Sequence, residues 1–97
     1  MPRPRICRRI RFRPDVIYFK PAGIRLADLE EVILTLEEYE AVRLVDLEQT
    51  EQIKAGKQMN ISQPTLSRLL KSARKKISDA IVKGKAIKIE GGNYKFK

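Results

Sequence analysis

At 97 residues, with 42% apolar side chains and six aromatics, the chain has room for one small core built mostly of leucine, isoleucine and valine. A formal charge of +9, from 21 Lys and Arg against 12 Asp and Glu, points to polyanionic partners. One cysteine and no histidine exclude an intrachain disulfide and a one-chain structural zinc site, so no metal and no cofactor is expected.

The charge is unevenly spread. Residues 1–26 carry eight cations and one anion, residues 27–51 one cation and nine anions, and residues 52–97 twelve cations and two anions. Basic, acidic and basic blocks suggest a binding face and a separate face turned away from the bound polyanion. No apolar run approaches the roughly 20 residues that a membrane span needs. The charged N-terminus lacks the hydrophobic stretch of a secretory signal, and the chain reads as cytoplasmic.

In chain order, residues 1–15 form a basic arm. Six arginines lie in the first thirteen residues, with prolines at 2, 4 and 14. Such a segment cannot fold alone. Arg3, Arg5, Arg8 and Arg9 are candidate phosphate contacts, while Ile6, Ile10 and Phe12 alternate partly like a strand. Cys7 reads as an incidental thiol among arginines. Val16 to Phe19 is a short strand candidate before the Pro21-Ala22-Gly23 turn, and Leu26 to Val32 reads as a short helical turn.

Thr35 with Glu38 three residues later spells a capping box. The helix it opens should run from Leu36 to about Leu47. Leu36, Tyr39, Val42, Val45 and Leu47 are expected on its buried side, with Glu37, Glu38, Glu40, Arg43 and Asp46 in water. A second helix, Gln52 to Met59, takes Thr50 or Glu51 as cap and has the small residues Ala55 and Gly56 where another helix must cross closely. Asn60 suits a left-handed turn, and Ile61 is the apolar plug.

Ser62 caps a third helix, and Pro64 fits only its first turn. Leu66, Leu69, Leu70, Ala73, Ile77, Ala80 and Ile81 recur at 3-4 spacing and predict a buried stripe. Ser67, Arg68, Lys71, Arg74, Lys75 and Ser78 fall on the other face. The helix should end at Lys83, with Gly84 as its stop. Ile87 and Ile89, a Gly91-Gly92-Asn93 turn, then Tyr94 and Phe96 predict a β-hairpin over residues 86–96. Two strands alone are marginal, so the hairpin should pair with Val16 to Phe19 or with a partner chain.

The stretch 35–82 resembles region four of bacterial sigma factors. The residues that carry the likeness are Thr35, Glu38, Ala55, Ile61, Ser62, Pro64, Thr65, Arg68, Ala73, Arg74 and Lys76. Glu51, Gly56 and Asn60 depart from the usual Ser, Ala and Gly. The whole chain looks still closer to a family of small uncharacterised, predicted DNA-binding proteins of bacteria and archaea. It shares the basic opening Met1 to Pro4, the YFKPAG segment Tyr18 to Gly23, and the segment Gly84 to Tyr94. Some members are joined to domains resembling nitrogenase-cofactor assembly proteins; this chain contains no such domain.

The resemblance implies a mainly α fold: a helix-turn-helix bundle with a small β-hairpin or sheet from the termini. One domain over 16–97 would hold the helix-turn-helix at 52–83. The implied function is sequence-specific binding of double-stranded DNA by a transcriptional regulator. Gln63, Thr65, Ser67 and Arg68, in the first two turns of the recognition helix, are the candidate base contacts. Ser62, Lys71, Arg74 and Lys75 join the arm arginines as candidate backbone contacts.

One such unit buries little DNA surface. A homodimer is expected, joined through the strands or the helix at Leu36, with half-sites about 34 Å apart. Two alternatives differ in class. One is an adaptor that binds RNA polymerase or another protein through the acidic segment 28–51, by way of Glu37 and Glu38. The other binds RNA through the arginine-rich arm. No catalytic residues are assigned: the glutamates have no nucleophile or metal partner in view, and no enzyme activity is expected.

Overall fold

The structure, a computed structural model, describes residues 9–10, 17–91 and 95–96. It is mainly helical, with a small sheet. The strands are β1 (Arg9–Ile10), β2 (Tyr18–Phe19), β3 (Glu31–Leu34), β4 (Ala86–Ile89) and β5 (Lys95–Phe96). The α-helices are α1 (Leu36–Val42), α2 (Gln52–Met59) and α3 (Gln63–Lys83).

The sheet order is β2-β4-β3. β4 runs antiparallel to β2, with Phe19 opposite Ile87, and parallel to β3, with Leu34 opposite Ile89. β5 pairs in parallel with β1 instead. The expected 86–96 hairpin is thus replaced by two separate pairings. β4 does take the expected partner, β2, and the arm contributes a strand through Arg9 and Ile10. β3 also replaces part of the helical turn expected over Leu26 to Val32. Only Leu26–Asp28 is helical, as one 3-10 turn, and Glu31 and Val32 join the ladder opposite Ala86 and Ile87.

α1 begins with the expected capping box. Thr35 Oγ1 accepts the Glu38 N–H at 3.1 Å, and Glu38 Oε1 accepts the Thr35 N–H at 2.8 Å. The helix does not continue as α to Leu47. From Arg43 to Leu47 it widens into a π-helical turn, closed by the Glu48 N–H on the Arg43 carbonyl oxygen at 3.0 Å. The extra residue per turn shifts the phase, which leaves Leu47 75% exposed instead of buried.

Two clusters make the core. Ala41, Leu44, Ala55, Met59, Leu66 and Leu70 join the three helices. Leu34, Leu36, Ala73 and Ile89 join α1 and α3 to the sheet. α1 lies between them and is covered on most sides, so three groups expected in water are buried: Glu38, Glu40 and Arg43. Arg43 is bidentate on Glu40, with Nε and Nη2 each 2.8 Å from a carboxylate oxygen, and its Nη1 donates to Glu48. Its pKa is raised, first by the hydrogen bond to Glu40. A planar fork held this way keeps both charges paired inside the fold. Leu36 is itself core, so α1 offers no free apolar face at that residue for pairing two chains.

Candidate nucleic-acid interface

α2 and α3 are joined by three residues. Asn60 sits in the left-handed region at φ 61°, ψ 45°, as its residue type suggested. Its N–H and that of Ile61 return to the Lys57 and Gly56 carbonyl oxygens at 3.1 and 2.9 Å. The backbones approach so closely that a Cβ on Gly56 would stand 3.0 Å from the Ile61 carbonyl oxygen. Glycine removes that obstacle and lets Ile61 pack on the helical core beside Leu66 and Met59. Glu51 occupies the N-cap position of α2, but its side chain makes no capping bond.

α3 starts and stops where its caps predict. Ser62 Oγ accepts the Thr65 N–H at 3.3 Å, and Gly84 ends the helix at φ 69°. Leu66, Leu70, Ala73 and Ala80 are buried along its inner side. Ile81, expected in that stripe, is 72% exposed.

Of the four candidate base contacts, Gln63, Ser67 and Arg68 are exposed. Thr65 is half-buried, and its hydroxyl accepts from Ser62 Oγ at 2.9 Å. Arg68 Nη2 lies 3.4 Å from the same Thr65 oxygen, a contact too long to fix the guanidinium. Lys71 and Lys75 follow at helical spacing, both exposed, and neither has an acidic partner among the described residues. Arg68, Lys71 and Lys75 share the side of α3 opposite Leu66 and Ala73, giving one cationic stripe.

Arg74 is different. It is bidentate on Asp46 of the π-helical turn, with Nη2 at 2.6 Å and Nε at 3.1 Å, and that hydrogen bonding raises its pKa. Its side chain is still half-exposed. Lys76 reaches inward to Glu38 Oε1 at 2.8 Å, and the Ser72 hydroxyl donates to the same carboxylate. Burial pushes the Glu38 carboxyl upward, but the bonds from Lys76, Ser72 and the Thr35 N–H outweigh it and hold the pKa below 4.5. Arg74 and Lys76 thus tie α3 to the α1 segment.

Arg3, Arg5 and Arg8 lie outside the described residues. Arg9 is placed by its backbone in β1, beside α1 and α2. Two exposed cations that the sequence reading passed over, Lys54 and Lys57, project from the outer side of α2. Their signal was available: both fall opposite Ala55 and Met59 on a helical projection.

A family model covers residues 1–97 and is described as Protein of unknown function DUF134. The chain belongs to this family. It is 59% identical over 95 residues to a UPF0251 protein of Caldanaerobacter subterraneus, covering 98% of this chain and 80% of that one. A UPF0251 protein of Dehalococcoides mccartyi is 58% identical over 96 residues, with 99% and 82% covered. A UPF0251 protein of Moorella thermoacetica is 56% identical over 94 residues, and this chain spans 63% of its length. No solved structure matches the chain. Among the described residues no helix is long and apolar enough to cross a membrane.

Proposed function

We propose that the chain binds double-stranded DNA with sequence preference, as a cytoplasmic transcriptional regulator, and that α2-turn-α3 is a helix-turn-helix whose second helix enters the major groove. One observation carries the reading. Burial of one side of α3 against α1 and α2 leaves Gln63, Ser67, Arg68, Lys71 and Lys75 exposed along the other. A helix that offers polar groups over its first turns and cations further on matches what a groove flanked by phosphates requires.

In this reading Arg68 takes guanine O6 and N7, and Gln63 takes adenine N6 and N7. Lys71 and Lys75 meet phosphates, joined by Lys54 and Lys57 of the helix that crosses the backbone. Arg74, steadied by Asp46, is a phosphate contact at the edge of the stripe. Two copies would sit on half-sites about 34 Å apart.

The adaptor reading loses ground for a specific reason. Glu38, one of its two named docking residues, is buried and hydrogen-bonded within the fold. The test is selection from a random duplex library at physiological salt. A two-fold symmetric motif is the expected result. Retention of DNA with no enriched sequence would reduce the function to backbone contact, and failure to retain duplex DNA while binding single-stranded RNA would replace it.

A further inference from the structure

An apolar groove of about 280 Å³ opens between the π-helical turn, the second half of α3 and β2. Apart from Tyr39 and Arg43 its lining is wholly apolar, with Ile77 and Ile87 among its residues. A second hollow of about 400 Å³ shares Phe19 and Ile87 with it and runs on past Ile81 to Lys20 and Lys85. The two adjoin at Phe19 and Ile87, which line both, and together make one apolar trough.

Three large side chains stand at this trough instead of filling it: Leu47 at one end, Phe19 in the middle and Ile81 at the other, 75%, 56% and 72% exposed. Apolar knobs beside an apolar hollow on the same face are what a two-fold contact uses, because each copy brings both. β2 is also an edge of the described sheet, and an open edge beside exposed Ile17 and Phe19 favours cover by another chain. The ends differ in charge. Glu48 follows Leu47 at one end, where it accepts from Arg43 and stays 48% exposed, whereas Lys20 and Lys85 line the other, with Lys85 paired to Asp79 at 2.9 Å. A two-fold axis near Phe19 brings the acidic end of one copy onto the basic end of its mate.

We propose that a second copy of this chain packs in this trough, with Leu47 laid beside the partner's Ile81 and Glu48 facing the partner's Lys20. The proposal deepens the DNA-binding reading by naming how two units pair, and its test needs no DNA. Ile81 lies roughly a quarter-turn around α3 from Lys71, so pairing through the trough leaves the cationic stripe of each copy uncovered.

The experiment is sedimentation equilibrium of the full chain without DNA, with circular dichroism to confirm folding. The wild type sediments as a dimer. Leu47→Lys sets a cation against the partner's Lys20, and Ile81→Asp sets an anion against the partner's Glu48. Both side chains are exposed in the single chain, so each variant folds. Each raises the dimer dissociation constant by about tenfold or more, since a two-fold contact is struck twice. The double variant recovers part of the loss, because the new charges then face each other. Ile53→Asp, on α2 away from the trough, changes nothing. A monomeric wild type would overturn the proposal and give the trough to another occupant, a different protein or a further segment of the longer relatives. A dimer indifferent to Leu47→Lys and Ile81→Asp, or equally sensitive to Ile53→Asp, would also overturn it. A trough dimer that shows no DNA preference would leave this proposal standing and remove the function it was built on.

Discussion

The charges of α1 and those on the outer side of α3 look alike in the sequence and behave in opposite ways. Both are helical runs of ionic residues that pattern alone assigns to solvent. In α1 and the π-helical turn after it they are drawn inside: Glu40 and Arg43 are 2% and 8% exposed and form a bidentate pair, and Glu38 gathers bonds from Thr35, Ser72 and Lys76. On α3, Arg68, Lys71 and Lys75 stay in water without acidic partners among the described residues. The first set holds the helices together, and the second is left free to meet an external anion. What separates them is position. α1 lies between two apolar clusters, whereas α3 turns one side away from every described element.

The largest expected effect is therefore at Arg43. Arg43→Met removes the bidentate cationic partner of the buried Glu40 carboxylate and should cost about 3–5 kcal/mol, read as a drop in Tm of well over about 10 °C. An unchanged Tm would erase the distinction between the two sets. Next comes Lys76→Met, which removes one of the donors to buried Glu38 and should cost about 1–3 kcal/mol by urea denaturation.

The same site sets an acid limit. The folded pKa of Glu38 lies below its ordinary 4.5, so ionised Glu38 stabilises the fold above about that pH. The contribution fades as the pH falls through the lower folded value. Glu38→Gln should lack this part of the acid-side slope in a Tm-against-pH series.

The outer set should invert the pattern. Lys71→Ala with Lys75→Ala should leave the unfolding free energy within about 0.5 kcal/mol of wild type and flatten the salt dependence of DNA binding by roughly two phosphate contacts. Arg68→Ala should cost roughly 1–3 kcal/mol of discrimination at one base position, with non-specific affinity largely kept. Asp46→Ala comes last: the partly exposed pair with Arg74 should contribute under about 1 kcal/mol to stability, measurable by a double-mutant cycle with Arg74→Ala.

The helix ends were legible because they are local chemistry. Thr35 with Glu38, Ser62 with Pro64, Asn60 and Gly84 each fix a boundary through bonds within four or five residues. β3 was not, since Glu31 to Leu34 become a strand only when Ala86 to Ile89 arrive from more than fifty residues away. The burial of Glu38 and Arg43 was equally hidden: it depends on where α3 and the sheet lie, although the Glu40 to Arg43 spacing of three hinted at a pair. For the candidate site the sequence placed the exposed stripe well but counted Arg74 as an ordinary free cation. Its partner Asp46 is 28 residues distant and is brought to it by the π-helical turn, for which the sequence offers no signal.

The most direct test of the central claim is an amide chemical-shift map of the isotopically labelled chain titrated with duplex DNA at physiological salt. The account predicts perturbations concentrated from Ser62 to Lys75 and on the outer side of α2, with α1 and the trough at Phe19 unmoved. Shifts centred on the trough or on residues 28–51, or none at all along α3, would contradict it.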